Sequence, residues 1–594
     1  SVLTIGSGKT LTNNGTIGAY GEISGTLTNH GTIMVGPDGS VPSGSGGSVI
    51  PFPYDETYLD ASGTPQNIPT TGTRYLLPEM SVLTGGWYVV RVDVTLPERL
   101  TVTGDVHLIL MDGCKLDAQE GITVNESDSL TIYAQSNDEA QMGVLTATSS
   151  DLNDAGIGGS SGAGGTITIN GGKITAVGKG GGYYGSAGIG GGDKGAGGTI
   201  TINGGNVTAV GGEHGAGIGG GDGGAGGTIQ INGGTVTATG GNDGGAGIGG
   251  GRNGAAGTFA ATGDVFIIAS SISDNGEDEK ANWSGVIFEG DDGQVYGAPT
   301  LKTVKTIPSG KRLEIPAGKT LTIDNNVTLT NNGVIGVYGT ISGSLTNNGT
   351  IMVGPDGKIP EGTADIVIRY PSNRTYLDKD GVSQNIPANA KFLLPGSATL
   401  RSGWYVVCGN IILPERPTVT GDVHLVLIDG CKLDAQKGIG VSDSNKLTIY
   451  AQSNGSDMGE LTATGERNQA GIGGGPDQAG GTITINGGTI TASGGEAGAG
   501  IGGGHRGAGG TITINGGTVT ATSPDGGAGI GGGYYQAAGG IITINGGTIT
   551  ASSASSGAGI GGGGNGGAGG TITINGGTVT ATSSGGMFVG AGIG

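Results

Sequence analysis

Two sets of carboxylates with a histidine are the side chains here best suited to acid–base or cation chemistry. Asp105, His107, Asp112 and Asp117 recur as Asp422, His424, Asp429 and Asp434. Cleaving a polysaccharide would need such groups clustered in a groove, either around calcium or as a pair of acids. His107 alternates with Val106 and Leu108, and Asp112 precedes a glycine. The set therefore reads as a polar row on one strand face followed by a turn, and no enzyme is expected. Calcium has a second test, because glycine-rich nonapeptide repeats bind it through a regularly placed aspartate. GGGDKGAGGTITI (190–202) and GGGDGGAGGTIQI (219–231) look similar, but Asp193 and Asp222 do not occupy that place. Corresponding positions elsewhere hold Arg252, Pro476, His505 or Tyr534. No cofactor is expected, with calcium left open only as scattered sites among the 48 acidic residues.

Glycan binding requires exposed aromatic rings with polar neighbours. Tyr183-Tyr184 and Tyr534-Tyr535 lie in glycine-rich stretches and should be largely exposed, while Trp87 and Trp404 begin matched W-Y-V-V runs that read as core or cap. These six residues are the candidate glycan contacts. Sequons occur at Asn14, Asn282 and Asn373. Cys408 and Cys431 stand about one coil apart, so a bridge is conceivable, yet with Cys114 the total is odd and free thiols are the preferred reading.

These groups need elements to position them, and composition restricts which. Glycine makes up 139 of 594 residues, aromatics 4% and charged residues 13%, with 27 basic against 48 acidic side chains. Glycine lies at no strict third position, which excludes collagen, and runs such as GAGIGGG would cost about 1 kcal/mol per glycine in a helix. A pI near 4.5 repels phosphate, so nucleic acid is not a partner. No apolar stretch approaches the roughly 20 residues that cross a bilayer, so no membrane insertion is expected.

The chain repeats at two scales. GTIMVGPDG recurs at an offset of 318, and LPER, TVTGDVHL, DGCKLDAQ and LTIYAQSN recur at 317. Two modules follow, 1–318 and 319–594, the second truncated, as in a window on a longer array. Within each, AGIGG motifs return every 29 to 33 residues, separated by TITINGG and a TVTA-like run. Thr-Ile-Thr-Ile alternates with period two, which is strand, and Asn-Gly-Gly accepts the positive φ of a tight turn. A unit this small buries its isoleucines only by stacking on a copy of itself.

The expected fold is an all-β parallel β-helix, a β-solenoid built as an elongated rod with coils averaging about 25 residues. Glycine-rich coils are placed at 150–265 and 465–594, irregular inserts at 41–86 and 358–403, and an inter-module connection at 266–318 with an acidic loop at 274–280. Asn170, Asn203, Asn232, Asn486, Asn515, Asn545 and Asn575 should stack as an amide ladder. A tandem β-sandwich is the alternative for 1–150, and fits the repeat lengths poorly.

The strings W-Y-V-V, T-V-T-G-D-V-H-L-I-L, D-G-C-K-L-D-A, L-T-I-Y-A-Q-S and A-G-I-G-G-G…G-G-T-I-T-I-N-G-G-T-V-T-A-T resemble large repetitive bacterial surface proteins, many of them from anaerobic Gram-positive bacteria. They are similar to filamentous adhesins and to carbohydrate-binding right-handed β-helix domains. The likeness spans roughly 80–265 and 397–594. It implies a right-handed coil and a secreted, surface-attached, non-enzymatic protein, and it carries no catalytic residues across. The expected function is an extracellular adhesive fibre or stalk that contacts its own copies. The alternatives are a polysaccharide-binding surface module for pectin-like or host glycans, with or without calcium, and thirdly a polysaccharide lyase or hydrolase.

Overall fold

Threonine and isoleucine are stiff, β-branched residues that favour extended backbone, and their alternation sends every isoleucine to one side of the strand. A computed structural model of the chain describes residues 2–273, 280–363, 366–371, 374–442, 444–584 and 589–594. Asn373 and, except for Lys280, the acidic loop at 274–280 lie outside the described residues. The described architecture is all-β, and the fold is a parallel β-helix. No helix among the described residues is long and apolar enough to cross a membrane. Contacts divide the chain into two compact units. Unit 1 comprises Ser1–Lys305, Leu313–Leu329 and Thr340–Ser344; unit 2 comprises Thr306–Arg312, Thr330–Gly339 and Leu345–Gly594.

Each glycine-rich coil of unit 1 has three strand faces. In one coil these are Ile157–Gly158, Thr166–Ile169 and Lys173–Val177. Every strand pairs in parallel with the same element one coil on: Ile157 with Ile189, Ile167 with Ile200, Ile174 with Val207. Parallel neighbours lie about 4.8 Å apart, so each isoleucine rests on its counterpart. The side chains in these columns are fully buried from Ile122 to Ile248. Unit 2 repeats the scheme, with Ile472, Ile501, Ile530 and Ile560 stacked in one column and Ile483, Ile512 and Ile542 in another.

The Asn-Gly-Gly turn joining the second and third faces carries the amide ladder. Asn203 Nδ2 donates to Asn170 Oδ1 at 2.8 Å, and Asn232 Nδ2 donates to Asn203 Oδ1 at 2.8 Å. In unit 2, Asn515, Asn545 and Asn575 each donate to the preceding asparagine, starting at Asn486, at 2.7 Å.

Coil length is not uniform. Thr10–Asn13 pairs with Thr26–Asn29, and Thr16–Ala19 with Thr32–Val35. These coils need only 16 residues and have their own amide rung, Asn13 Nδ2 to Asn29 Oδ1 at 2.7 Å. Asn331 and Asn347 form the equivalent rung in unit 2. The average of about 25 residues thus conceals a spread, from 16 residues here through 24 between Val106 and Leu130 to 33 between Ile167 and Ile200.

The segments read as irregular inserts are ordered covers. In 41–86, Ser48–Ile50 pairs with Thr32–Met34, and Thr57–Leu59 forms an antiparallel hairpin with Pro65–Asn67. This cover buries Met34, Phe52, Ile68 and Tyr75 against Val89, Ile109 and Met111, on the side of the sheet opposite the solenoid core. The ends of the strands Val82–Val90 and Leu100–Leu110, at Tyr88–Val90 and Leu108–Leu110, are therefore buried on both faces, which is why YVV and LILM break the alternation seen elsewhere. Ile386 and Phe392 occupy the matching positions in unit 2.

Candidate functional site

The polar row expected around His107 is instead part of an aromatic cluster, and the cluster occurs in both units. Trp87 and His107 are directly paired on neighbouring parallel strands, and Tyr133 lies on the next strand. The Trp87 ring stacks on His107 with centroids 4.3 Å apart and on Tyr133 at 5.3 Å. Tyr58, from the cover hairpin, closes the group at 5.2 Å from Trp87 and 4.8 Å from Tyr133. In unit 2, Trp404 stacks on His424 at 4.3 Å and on Tyr450 at 5.2 Å, with Tyr376 at 5.0 Å from Trp404.

The imidazoles have matching polar partners. His107 Nδ1 lies 3.1 Å from the Tyr133 hydroxyl, and Nε2 lies 3.3 Å from Asp105 Oδ2. His424 Nδ1 lies 3.1 Å from the Tyr450 hydroxyl, and Nε2 lies 3.6 Å from Asp422 Oδ1. A neutral ring with its hydrogen on Nε2 satisfies both contacts, accepting from the tyrosine and facing the aspartate. Burial pushes Tyr133 and Tyr450 up to about 12, with neighbouring Tyr58 or Tyr376 and the aspartate adding to the shift, so each phenol stays a donor. Burial also lowers the pKa of His424, against the opposing pull of Asp422.

The sign of that shift gives a pH prediction. Folding disfavours the His424 imidazolium, so the histidine's contribution to stability is full above 6.5 and declines as pH falls through its lowered folded value. In a W87F/W283F protein, whose remaining indole is Trp404, fluorescence should change on acidification with a midpoint below 6.5, because the stacked ring becomes cationic. His424→Gln should abolish the transition.

The ring faces of Trp87 and Trp404 are spent on their own neighbours, so the cluster clamps the cover hairpin to the coils. Of the other candidate glycan contacts, Tyr183 is 83% exposed and Tyr184 follows it in a two-residue-strand hairpin, Gly180–Gly181 with Tyr184–Gly185. Tyr534 and Tyr535 belong to a richer patch. The Arg506 guanidinium lies 5.3 Å from the Tyr535 ring, and His505 is 6.4 Å from Tyr534. Asp477 sits 3.6 Å from Arg506. Among the described residues no group of three or more His, Cys, Asp or Glu could hold a metal ion. Asn14 and Asn282 are exposed.

The cysteines are free thiols. The Gly409 amide donates to Cys431 Sγ at 3.0 Å. The Cys408 thiol donates to Arg369 O at 3.8 Å, and its pKa is raised by the neighbouring Cys431 thiol and by burial. In unit 1 the position of Cys408 holds Arg91, which pairs with Glu56 at 2.7 Å; Arg374 takes the place of that glutamate in unit 2.

Sequence reasoning missed the tyrosines Tyr58, Tyr133, Tyr376 and Tyr450, and also Arg99 and Arg416. Arg99 donates to Glu120 O at 2.6 Å and Ala155 O at 2.8 Å, and pairs with Asp154 at 3.3 Å. Arg416 donates to Lys437 O, Ala470 O and Gly473 O at 2.7–3.0 Å. The signal was available: LPER and LTIYAQSN each recur at the module offset, and in each the functional side chain is the large polar or aromatic one.

A family model described as "Beta helix repeat" matches residues 167–193, 200–222, 229–252, 456–476, 483–505, 512–534, 542–564 and 572–594. No curated protein and no solved structure matches the chain. Seven of the eight matched segments run from the second face of one coil toward the glycine loop of the next, and 456–476 starts just before the third face, Glu460–Thr464; these are the elements that pair in parallel here. On both grounds the glycine-rich coils are β-helix repeats, set in a chain whose fold is a parallel β-helix.

Proposed function

We propose that the chain is an extracellular structural and adhesive β-solenoid, part of a bacterial cell-surface fibre or stalk, with no catalytic activity, no cofactor and copies of itself as partner. The observation that carries this reading is coil-to-coil identity. Thr513 pairs with Thr484 and Thr543, and Ile501 with Ile472 and Ile530, with no functional side chain interrupting the columns. A catalytic groove would require a constant cluster at one level, whereas this pattern maximises stacking along one axis. Electron microscopy of the purified protein should reveal filaments or laterally packed rods. Turnover of a pectin-like substrate would overturn the reading.

A second reading, polysaccharide binding, is favoured by the Tyr535–Arg506–His505 patch, where a half-exposed ring is flanked by donors. Retention on a glycan array that disappears in a Y183A/Y184A/Y534A/Y535A protein would support it.

A further inference from the structure

Unit 1 contains a cleft of about 600 Å³, within the range of ligand sites, and its floor is the asparagine ladder. Asn170, Asn203 and Asn232 line it together with the glycines that follow Asn203 and Asn232. The hairpin tip Ala61–Gly63 and the segment Leu301–Lys305 supply the other sides. None of these residues belongs to the aromatic cluster or to the tyrosine patch.

We propose that this cleft binds an extended, neutral, polyhydroxylated chain, a glycan laid along the stacking axis. Three observations lead there. The first is hydrogen-bonding capacity. A side-chain amide has two N–H donors, and in Asn203 and Asn232 only one is used by the ladder. Asn170, 7% exposed, also lines the cleft; its Oδ1 accepts from Asn203, and among the described residues its Nδ2 has no acceptor. The result is a row of cleft-lining amides with spare donors, repeating at the coil spacing of about 4.8 Å, close to the length of one extended pyranose residue.

The second observation is charge. Lys302 pairs with Asp264 at 2.8 Å and Lys305 with Glu139 at 2.9 Å, so the four charged side chains lining the cleft cancel in pairs. Lys305 is only 9% exposed, which fixes its pair as part of the wall. A uronate chain would have to displace one of these carboxylates and would meet the field of a chain with net charge −21. The third is the lack of sockets: Met142, Phe266 and Leu301 are buried, leaving no apolar pocket of the kind that reads peptide side chains.

The proposal depends neither on the fibre reading nor on the tyrosine patch. Its test is titration of the whole 594-residue chain with cellohexaose, mannohexaose and hexagalacturonate, with hydrogen exchange locating the contact. One of the two neutral hexasaccharides should bind more tightly than hexagalacturonate and protect residues 202–206 and 231–235. Lys302→Trp, made at a 68% exposed position, should fill the cleft without disturbing a buried group and weaken binding at least about tenfold. Y534A/Y535A should bind as the parent does. No binding of either neutral sugar up to about 5 mM, tighter binding of the uronate, or a loss confined to Y534A/Y535A would each overturn the proposal.

Discussion

Replacing Gly502 with alanine should open the stack at one level and cost about 3–5 kcal/mol, the upper range for a single substitution. Gly502 has φ +136 and follows Ile501 in the first strand face. A Cβ there would lie 2.0 Å from the carbonyl oxygen of Gly531. That oxygen accepts the Gly503 amide at 2.9 Å, so the methyl would displace the acceptor holding the next peptide. Neither coil can retreat without breaking the pairing Ile501–Ile530 or disturbing its fully buried column. Gly566→Ala is the internal comparison. Gly566 also has positive φ, at +89, but its Cβ would meet nothing within 4 Å. It should cost only the left-handed backbone penalty of about 1–2 kcal/mol. Segment-resolved hydrogen exchange should find protection lost across 472–561 in the first variant and retained in the second. Equal effects would mean that backbone conformation, not coil contact, sets the cost.

The second large effect is expected at Arg416. Its guanidinium is held by carbonyl oxygens of Lys437, Ala470 and Gly473, which belong to two successive coils. Burial lowers its pKa to about 10, with Glu466 opposing the shift, so the group remains a cation at neutral pH. Arg416→Met preserves much of the stem but takes the donor from the Lys437 and Ala470 carbonyls, while Gly473 O keeps the Val441 amide, for an expected loss of about 3 kcal/mol. Arg416→Lys keeps the charge on a single nitrogen that cannot reach all the acceptors, and should fall between the two. The readout is exchange of the Gly471, Ile472 and Gly474 amides, which lie beside these acceptors. Unchanged protection in Arg416→Met would contradict a role as the staple at the head of this column.

How far the fold could be read from sequence follows from which interactions are local. Thr166–Ile169 states its two faces within four residues, and Asn170-Gly171-Gly172 states the turn, so the glycine-rich coils were legible in strand, turn and stacking. The 16-residue coils were not. TLTN and TIGA are strands of four residues, and what sets their coil length is the pairing of Asn13 with Asn29, which no short window contains. The aromatic cluster was hidden for the same reason. Trp87, His107 and Tyr133 meet across three successive strands, and Tyr58 arrives from a hairpin that sequence marked only as a break in rhythm. The alternation around His107 was read correctly as one strand face, but the cover that makes this face half-buried lies outside that strand.

The glycine loops have one further consequence. From the second GIGGG run of each unit onward, the third glycine of the GGG sits against the carbonyl of its predecessor one coil back, as Gly221 does on Gly192 and Gly533 on Gly504. Immediately after these locked glycines come Asp222 and Arg252 in unit 1 and His505, Tyr534 and Gly564 in unit 2. The backbone there is constrained almost to identity, while the adjoining side chain is free to be acidic, basic, aromatic or absent. The molecule thereby separates script from page: a line of characters, one per coil, can be rewritten by point mutation without altering the sheet that bears it.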